Sequence, residues 1–195
     1  EITVDELLKS IAVASGNDAA VAMAEYVGGT QEEFVEQMNK RAQELGMENT
    51  HFVNACGLDT DGHYSCAEDI AKMAAELMKH EDIYKYTTIW TDSIRDGTFD
   101  LANTNRLIHD YEGATGLKTG TTTKAKYCLC GTAKRDNVHL VAVVLGAETT
   151  ELRFSQTEKL LDYGFDNFEL LENLGTDQQL NDVKVLRGQQ DTVKA

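Results

Sequence analysis

Proline is absent from all 195 residues, so no linker can be placed by a shift into proline-rich composition, and neither internal repeats nor low-complexity tracts divide the chain. Basic residues are scarce: 18 lysines and arginines stand against 33 acidic residues, a formal charge of −15. Such a surface repels phosphate backbones, which excludes nucleic acid as a partner. No apolar run is long enough to span a bilayer, and the opening "EITVDELLKS" has neither the basic nor the apolar region of a secretory signal. An exported protein would therefore take its signal, and any membrane anchor, from segments outside this sequence. Four cysteines are too few for a disulfide framework and lack metal-ligand spacing. Cys128 and Cys130, two apart in an apolar run, belong on one face of a strand as small buried residues. The five histidines never pair at zinc-binding spacing, and "GLDTDGHYS", with Asp59 and Asp61, lacks the bidentate glutamate of a calcium loop. Neither a metal nor a cofactor is expected.

What is present is enough hydrophobic residue, 42%, for one substantial core and a fragment of a second domain. Three segments, Thr3–Glu6, Thr30–Glu33 and Ser65–Glu68, place a hydroxyl residue three positions before a glutamate, the reciprocal cap of a helix start. Behind the second, Phe34, Val35, Met38, Ala42 and Leu45 recur at helical spacing, with Gly46 as the stop. Behind the third come Ile70, Met73, Ala74 and Leu77. After His80 the pattern turns to strands: "YTTIWTDSI" is rich in β-branched and aromatic residues, and "YCLCGTAKRDNVHLVAVVLG" reads as two strands about a turn at 135–137. A last helix spans about 151–163. Beyond Phe165 the chain becomes acidic and irregular, with "DVKVLRG" as a strand candidate. The expected fold is α+β, a helical cluster packed on an antiparallel sheet. Residues 1–165 would form part of one domain, and 166–195 the opening of a small β-rich one.

Two short motifs carry chemistry. "SGN" (Ser15 to Asn17) lies between helical segments of about 4–14 and 18–27, where Gly16 in a left-handed conformation and Asn17 as a cap would suffice as a plain turn. "KTG" (Lys118 to Gly120) is equally ordinary alone. Together they are two of the three elements, with S-x-x-K, that mark penicillin-binding proteins and class A β-lactamases. The stretch from Ser15 to about Phe165 resembles the D-alanyl-D-alanine carboxypeptidases, the low-molecular-mass penicillin-binding proteins. "SGNDAAVAMAEYVGG", "MENTHFVNACGLDTDGHYS", "GLKTGTTTKAKY" and "EKLLDYGF" all match family segments in order. The resemblance implies the DD-peptidase fold, an extracytoplasmic location, and a serine enzyme that removes the terminal D-alanine from peptidoglycan stem peptides and binds β-lactams.

One departure stands out. The family's nucleophile is the serine of S-x-x-K upstream of SGN, and no serine here has a lysine three residues on. Thr115, Thr121 and Thr123 do, but they crowd the KTG strand itself and read as coincidence. The attacking serine is expected to lie outside this sequence, whose fourteen residues before SGN are too few to hold its element. By resemblance, Ser15 relays a proton between the absent lysine and the leaving nitrogen, and Asn17 binds the substrate peptide. Lys118 stabilises developing negative charge, Thr119 offers its hydroxyl to the substrate carboxylate, Gly120 leaves room, and the Thr121 amide serves the oxyanion. Arg153, near the start of the helix after the sheet, would grip the carboxylate through two parallel hydrogen bonds. Its alternative is a helix-surface arginine paired with Glu148 or Glu151. Lys118 and Thr119 point to opposite faces of a strand, so both serve one cleft only if it runs along the strand's edge. Other readings are a non-catalytic stem-peptide binding module and a β-lactamase, the latter without an assignable deacylating glutamate. An apolar sheet edge or face left open would favour self-association.

Overall fold

The computed structural model describes residues 1–170 together with the short strands Val183–Lys184 and Thr192–Val193. Helix α1 (Val4–Ala12) opens with the full reciprocal cap: Thr3 Oγ1 accepts from the Glu6 amide at 3.2 Å, and the Thr3 amide donates to Glu6 Oε2 at 2.8 Å. Helix α2 (Asn17–Gly28) follows, then α3 (Gln31–Glu44), which starts where Thr30 Oγ1 accepts from the Glu33 amide. It stops at Gly46, whose φ of 69° lets its amide reach Gln43 O while that of Met47 reaches Ala42 O. The third expected cap is not made. Helix α4 (Ala67–Leu77) begins at Cys66 with no side-chain cap, because the Ser65 hydroxyl is engaged 2.8 Å from that of Thr50. The buried Asp69 accepts instead from the Asn49 amide and the Thr50 hydroxyl, which ties the preceding loop to α4.

"YTTIWTDSI" is only half strand. Tyr86 and Thr87 belong to the short helix α5 (Tyr84–Thr87), where the Thr87 hydroxyl donates to Thr115 O at 2.7 Å, a tertiary bond that overrides β propensity. Strand β1 (Thr91–Ile94) forms a hairpin with β2 (Phe99–Ala102), which the sequence pattern did not announce. A single turn, α6 (Leu107–Asp110), leads into the main sheet. There β3 (Ala114–Thr122), β4 (Lys126–Arg135) and β5 (Val138–Ala147) run antiparallel in that spatial order, with the β4–β5 turn where expected. Helix α7 (Thr150–Asn167) covers one face, burying Phe154 and Leu161 against Leu129, Ala133 and Ala142, with Leu107 from α6. Each such leucine contributes roughly 2–3 kcal/mol by leaving water. Gly131 makes the close approach possible, since a Cβ there would lie 2.6 Å from Thr157 Cγ2. Helix α4 covers the other face through Ala74, Leu117 and Cys130.

Helices on both faces of an antiparallel sheet constitute the expected α+β arrangement. Cys130 is buried as anticipated, and burial pushes its thiol up to about 12. Cys128 is only half buried, because the β4–β5 register breaks between Tyr127 and Leu129 and leaves its thiol to bond Ala125 O. The last long helix extends to Asn167, beyond the 163 expected. Strand β6 (Val183–Lys184) falls within "DVKVLRG" and pairs antiparallel with β7 (Thr192–Val193). The rest of that tail, with the small β-rich domain assigned to it, lies outside the described residues.

Candidate active site

The SGN turn does not take the conformation expected of it. Ser15, and not Gly16, is left-handed, with φ 60°; Gly16 has φ −66° and stands as the N-cap of α2, which makes Asn17 the first helical residue rather than the cap. The Gly16 amide returns to Ser10 O at 3.0 Å and closes the turn. Ser15 and Asn17 are both exposed. A left-handed serine is uncommon, and it sets the direction of the hydroxyl.

Among the described residues β3 has β4 as its one strand neighbour, and no strand pairs with its other edge beyond Gly116, as a cleft along the strand requires. Lys118 lies across from Cys130 in the register, and Thr119 across from Leu129. The Lys118 ammonium donates to Ser15 Oγ at 2.7 Å and to Thr119 O at 3.0 Å, joining two motifs separated by 103 positions. Burial, and then the neighbouring Arg153 charge, bring its pKa down to about 8. The ammonium form therefore still predominates at pH 7. Because it occupies an oxygen lone pair of Ser15, the serine's own proton is free to be donated elsewhere.

Thr119 is 8% exposed, and its hydroxyl lies 2.6 Å from that of Thr104. Thr104 is exposed to solvent, and its amide donates to Val13 O at the end of α1. Its neighbours are buried: Asn103 donates to Ile89 O, and Asn105 donates to Gly116 O while accepting from the Leu107 amide. The segment Asn103–Thr104–Asn105 thus fastens the SGN side to the KTG strand. Sequence reasoning missed it; the available signal was a run of four polar residues, Asn103 to Arg106, between the apolar Ala102 and Leu107.

Arg153 is not a helix-surface residue paired with glutamate. It is 7% exposed, and Glu148 is bound instead by Lys126. Its Nη1 donates to Gly120 O at 3.2 Å, Thr121 Oγ1 at 3.0 Å and Cys128 O at 3.4 Å, while Nε is buried without a partner. The guanidinium also lies 5.0 Å from the Phe154 ring, whose environment it shares with Arg106, 4.4 Å from that ring. Two cations, Lys118 and Arg153, therefore flank the end of β3 that carries Gly120 and Thr121. In a chain of charge −15 this is a local site for an anion. The structure brings together Ser15, Lys118, Thr119, Gly120, Thr121 and Arg153; Asn17 stands two residues past Ser15 on α2.

Comparison with known proteins bears on the family and the fold. The family model described as D-alanyl-D-alanine carboxypeptidase matches residues 1–149. The D-alanyl-D-alanine carboxypeptidase DacF of Bacillus subtilis is 50% identical over 197 residues, covering 100% of this chain and 51% of the relative. Penicillin-binding protein 5 of Haemophilus influenzae superposes with a TM-score of 0.84 at 35% identity, covering 98% of this chain and 56% of that one. Penicillin-binding protein D2 of Listeria monocytogenes in its ampicillin-bound form gives a TM-score of 0.77 at 37% identity, over 84% of this chain and 68% of that one. The chain spans about half the length of the curated relatives it matches.

Proposed function

The chain belongs to the D-alanyl-D-alanine carboxypeptidase family, and on that premise we propose that it carries the substrate cleft and two of the three catalytic elements of a serine-type D-Ala-D-Ala carboxypeptidase. The observation that carries this reading is the 2.7 Å hydrogen bond from Lys118 to Ser15. Acyl transfer requires the leaving amine to receive a proton, and a serine hydroxyl that accepts from an ammonium is placed to give its own proton away. Asn17 hydrogen-bonds the peptide, and the Thr121 amide faces the developing oxyanion. The free carboxylate of the terminal D-alanine meets the Thr104–Thr119 hydroxyl pair and the field of Arg153, whose charge the site leaves unmatched by any acidic partner among the described residues. The nucleophile is the serine of an S-x-x-K element contributed from outside the sequence described. A β-lactam, with a carboxylate next to a strained amide, fits the same anion site, and the ampicillin-bound Listeria relative supports that assignment.

The reaction belongs outside the cytoplasmic membrane, where stem peptides are. No helix among the described residues is long and apolar enough to cross a membrane. Residues 1–165 fit as part of the catalytic domain, with 166–195 opening a further β-rich one. The test is covalent labelling by a fluorescent penicillin of a protein that contains these residues together with S-x-x-K. Ser15→Ala and Lys118→Ala should each lower the labelling rate by about 10²–10³-fold, the usual cost of removing a proton-transfer or charge-stabilising group. Folded wild-type protein that stays unlabelled would refute the reading, and stoichiometric binding of a stem peptide without D-alanine release would identify a binding module in its place.

A further inference from the structure

Trp90 is the one tryptophan of the sequence, and it stands 37% exposed just before β1. A single exposed ring is ordinary on a protein surface. Here a second ring adjoins it: the His109 imidazole lies with its centroid 5.2 Å from that of the indole and its plane tilted by 36°, so that the pair forms a broad aromatic step. At the rim His109 Nδ1 and Asp110 Oδ1 are 2.6 Å apart, and both side chains are exposed. Asp110 Oδ2 and His109 Nε2 have no protein partner among the described residues. The step is joined to the cleft. The Asn103 amide donates to Trp90 O at 2.8 Å, and the next two residues meet β3, Thr104 at the Thr119 hydroxyl and Asn105 at Gly116 O. His109 follows on the same stretch, at the end of α6. The step therefore belongs to the Gly116 end of the cleft, whereas a stem peptide with its carboxylate at Thr119 and its oxyanion at the Thr121 amide runs the other way, toward Thr122.

We propose that the Trp90–His109 step is a saccharide subsite, which takes an N-acetylhexosamine ring of the glycan from a strand other than the one bearing the reacting stem. The inference rests on the carboxypeptidase reading above. A pyranose of this class shows two surfaces at once: a face of axial C–H bonds, which packs on an aromatic ring, and a rim of hydroxyls with an acetamido group, which needs donors and acceptors at the ring's edge. An aromatic step bordered by a carboxylate and an imidazole offers both. An apolar side chain would leave that polar border unused, and a polyanion is repelled by a chain of charge −15, whereas an N-acetylated sugar is neutral. Direction decides which strand supplies the ring. A stem's own sugar lies at the far end of the peptide, beyond Thr122, so the ring at Trp90 comes from a neighbour. Holding that neighbour keeps the polymer, and its other stems, close to the cleft between turnovers.

The experiment uses the full-length protein, with its S-x-x-K element, and a soluble β-linked N-acetylglucosamine tetramer as the probe. Calorimetry should show the tetramer binding to the wild type, about 5–10-fold more weakly to Trp90→Ala, and in between for Trp90→Phe, which keeps a ring. His109→Ala removes the second ring without touching the indole and should cost about 2–3-fold, a readout that stands even if Trp90→Ala does not fold. Saturating tetramer should change D-alanine release from an acetylated tripeptide by less than about twofold, because the two sites are separate. On stems carried by polymeric glycan, Trp90→Ala should lower kcat/KM about 5–10-fold through KM, and on the free tripeptide less than about twofold. No tetramer binding by the wild type, binding unchanged in the folded variants, competition between tetramer and tripeptide, or an equal loss on both substrates would each overturn the subsite and leave the carboxypeptidase reading intact. Should neither substrate release D-alanine, the carboxypeptidase reading fails, and tetramer affinities across the same variants then decide the subsite by themselves.

Discussion

Lys118 and Ser15 meet at 2.7 Å, yet the two sides of that contact are held in unlike ways. Lys118 sits in a strand of nine residues, paired to β4 along its length and backed by the packed faces of the sheet. Ser15 hangs in a turn between two helices, in a left-handed conformation, secured by the Gly16 amide to Ser10 O and by the Thr104 amide to Val13 O. The strand side is stable for reasons unrelated to catalysis, and it accommodates a costly buried charge. The loop side is anchored by Val13, buried against Ile94 and Leu101, while Ser15 itself is exposed and bears local backbone strain. The difference teaches that the site draws on the stability of the sheet to hold its cation and on a conformational constraint to aim its hydroxyl.

The largest effect that would sharpen this contrast comes from Lys118→Met. In the folded chain the lysine titrates near 8, against an ordinary value of 10.5, with burial the main cause. Below pH 8 the group is charged whether the chain is folded or unfolded, and the folded state carries the full desolvation cost. Between pH 8 and 10.5 the unfolded chain holds the proton more tightly, so stability rises with pH, and above 10.5 the cost has gone. Lys118→Met should therefore stabilise the fold by up to about 3 kcal/mol near pH 7 while lowering the rate of penicillin labelling by about 10²–10³-fold. Urea denaturation from pH 7 to 10 should show the gap between variant and wild type narrowing as pH rises. A gap that widens would mean that the sheet is not bearing a buried charge.

Of intermediate size is the effect of cutting the fastening between the two sides. Asn105 is 1% exposed and satisfies Gly116 O and the Leu107 amide at once. Asn105→Ala leaves two buried polar groups unpaired and should cost about 1–3 kcal/mol by urea denaturation. Asn105→Asp keeps the acceptor for Leu107 and loses the donor to Gly116 O. Its labelling rate tests whether the strand must be tied for Lys118 to meet Ser15. Unchanged stability and labelling in both variants would show the two sides to be independent.

These same elements mark how far the sequence could be read. SGN, KTG and the position of Arg153 were legible only jointly, through their resemblance to a family pattern, whereas the caps at Thr3 and Thr30 and the β4–β5 turn were legible because their chemistry is local. Ser65 misled because a pattern at the right spacing says nothing about a competing partner, here the Thr50 hydroxyl. Thr87 misled for a similar reason, its bond to Thr115 O being tertiary. Which residue of SGN is left-handed was misassigned, since propensity favours glycine and only the meeting with Lys118 favours serine. Thr104 left only a polar run as its signal and the burial of Arg153 left none: both arise when loop, strand and helix converge, and no spacing along the chain encodes that.

The smallest effect bears on the strain itself. Ser15→Gly and Ser15→Ala both delete the hydroxyl that Lys118 contacts, so the lost hydrogen bond is common to the two variants. They differ in the backbone. Alanine in the left-handed region keeps a penalty of about 1–2 kcal/mol, which glycine escapes, while glycine adds roughly 0.5–1 kcal/mol of conformational freedom to the unfolded chain. The glycine variant should therefore come out more stable than the alanine variant by about 0.5–1 kcal/mol in paired urea titrations. Such a difference, with labelling lost equally in both, separates the aim of the hydroxyl from its chemistry. If alanine proves as stable as glycine, the turn is relaxed as it stands, and the contrast between a strained loop and a packed strand is lost.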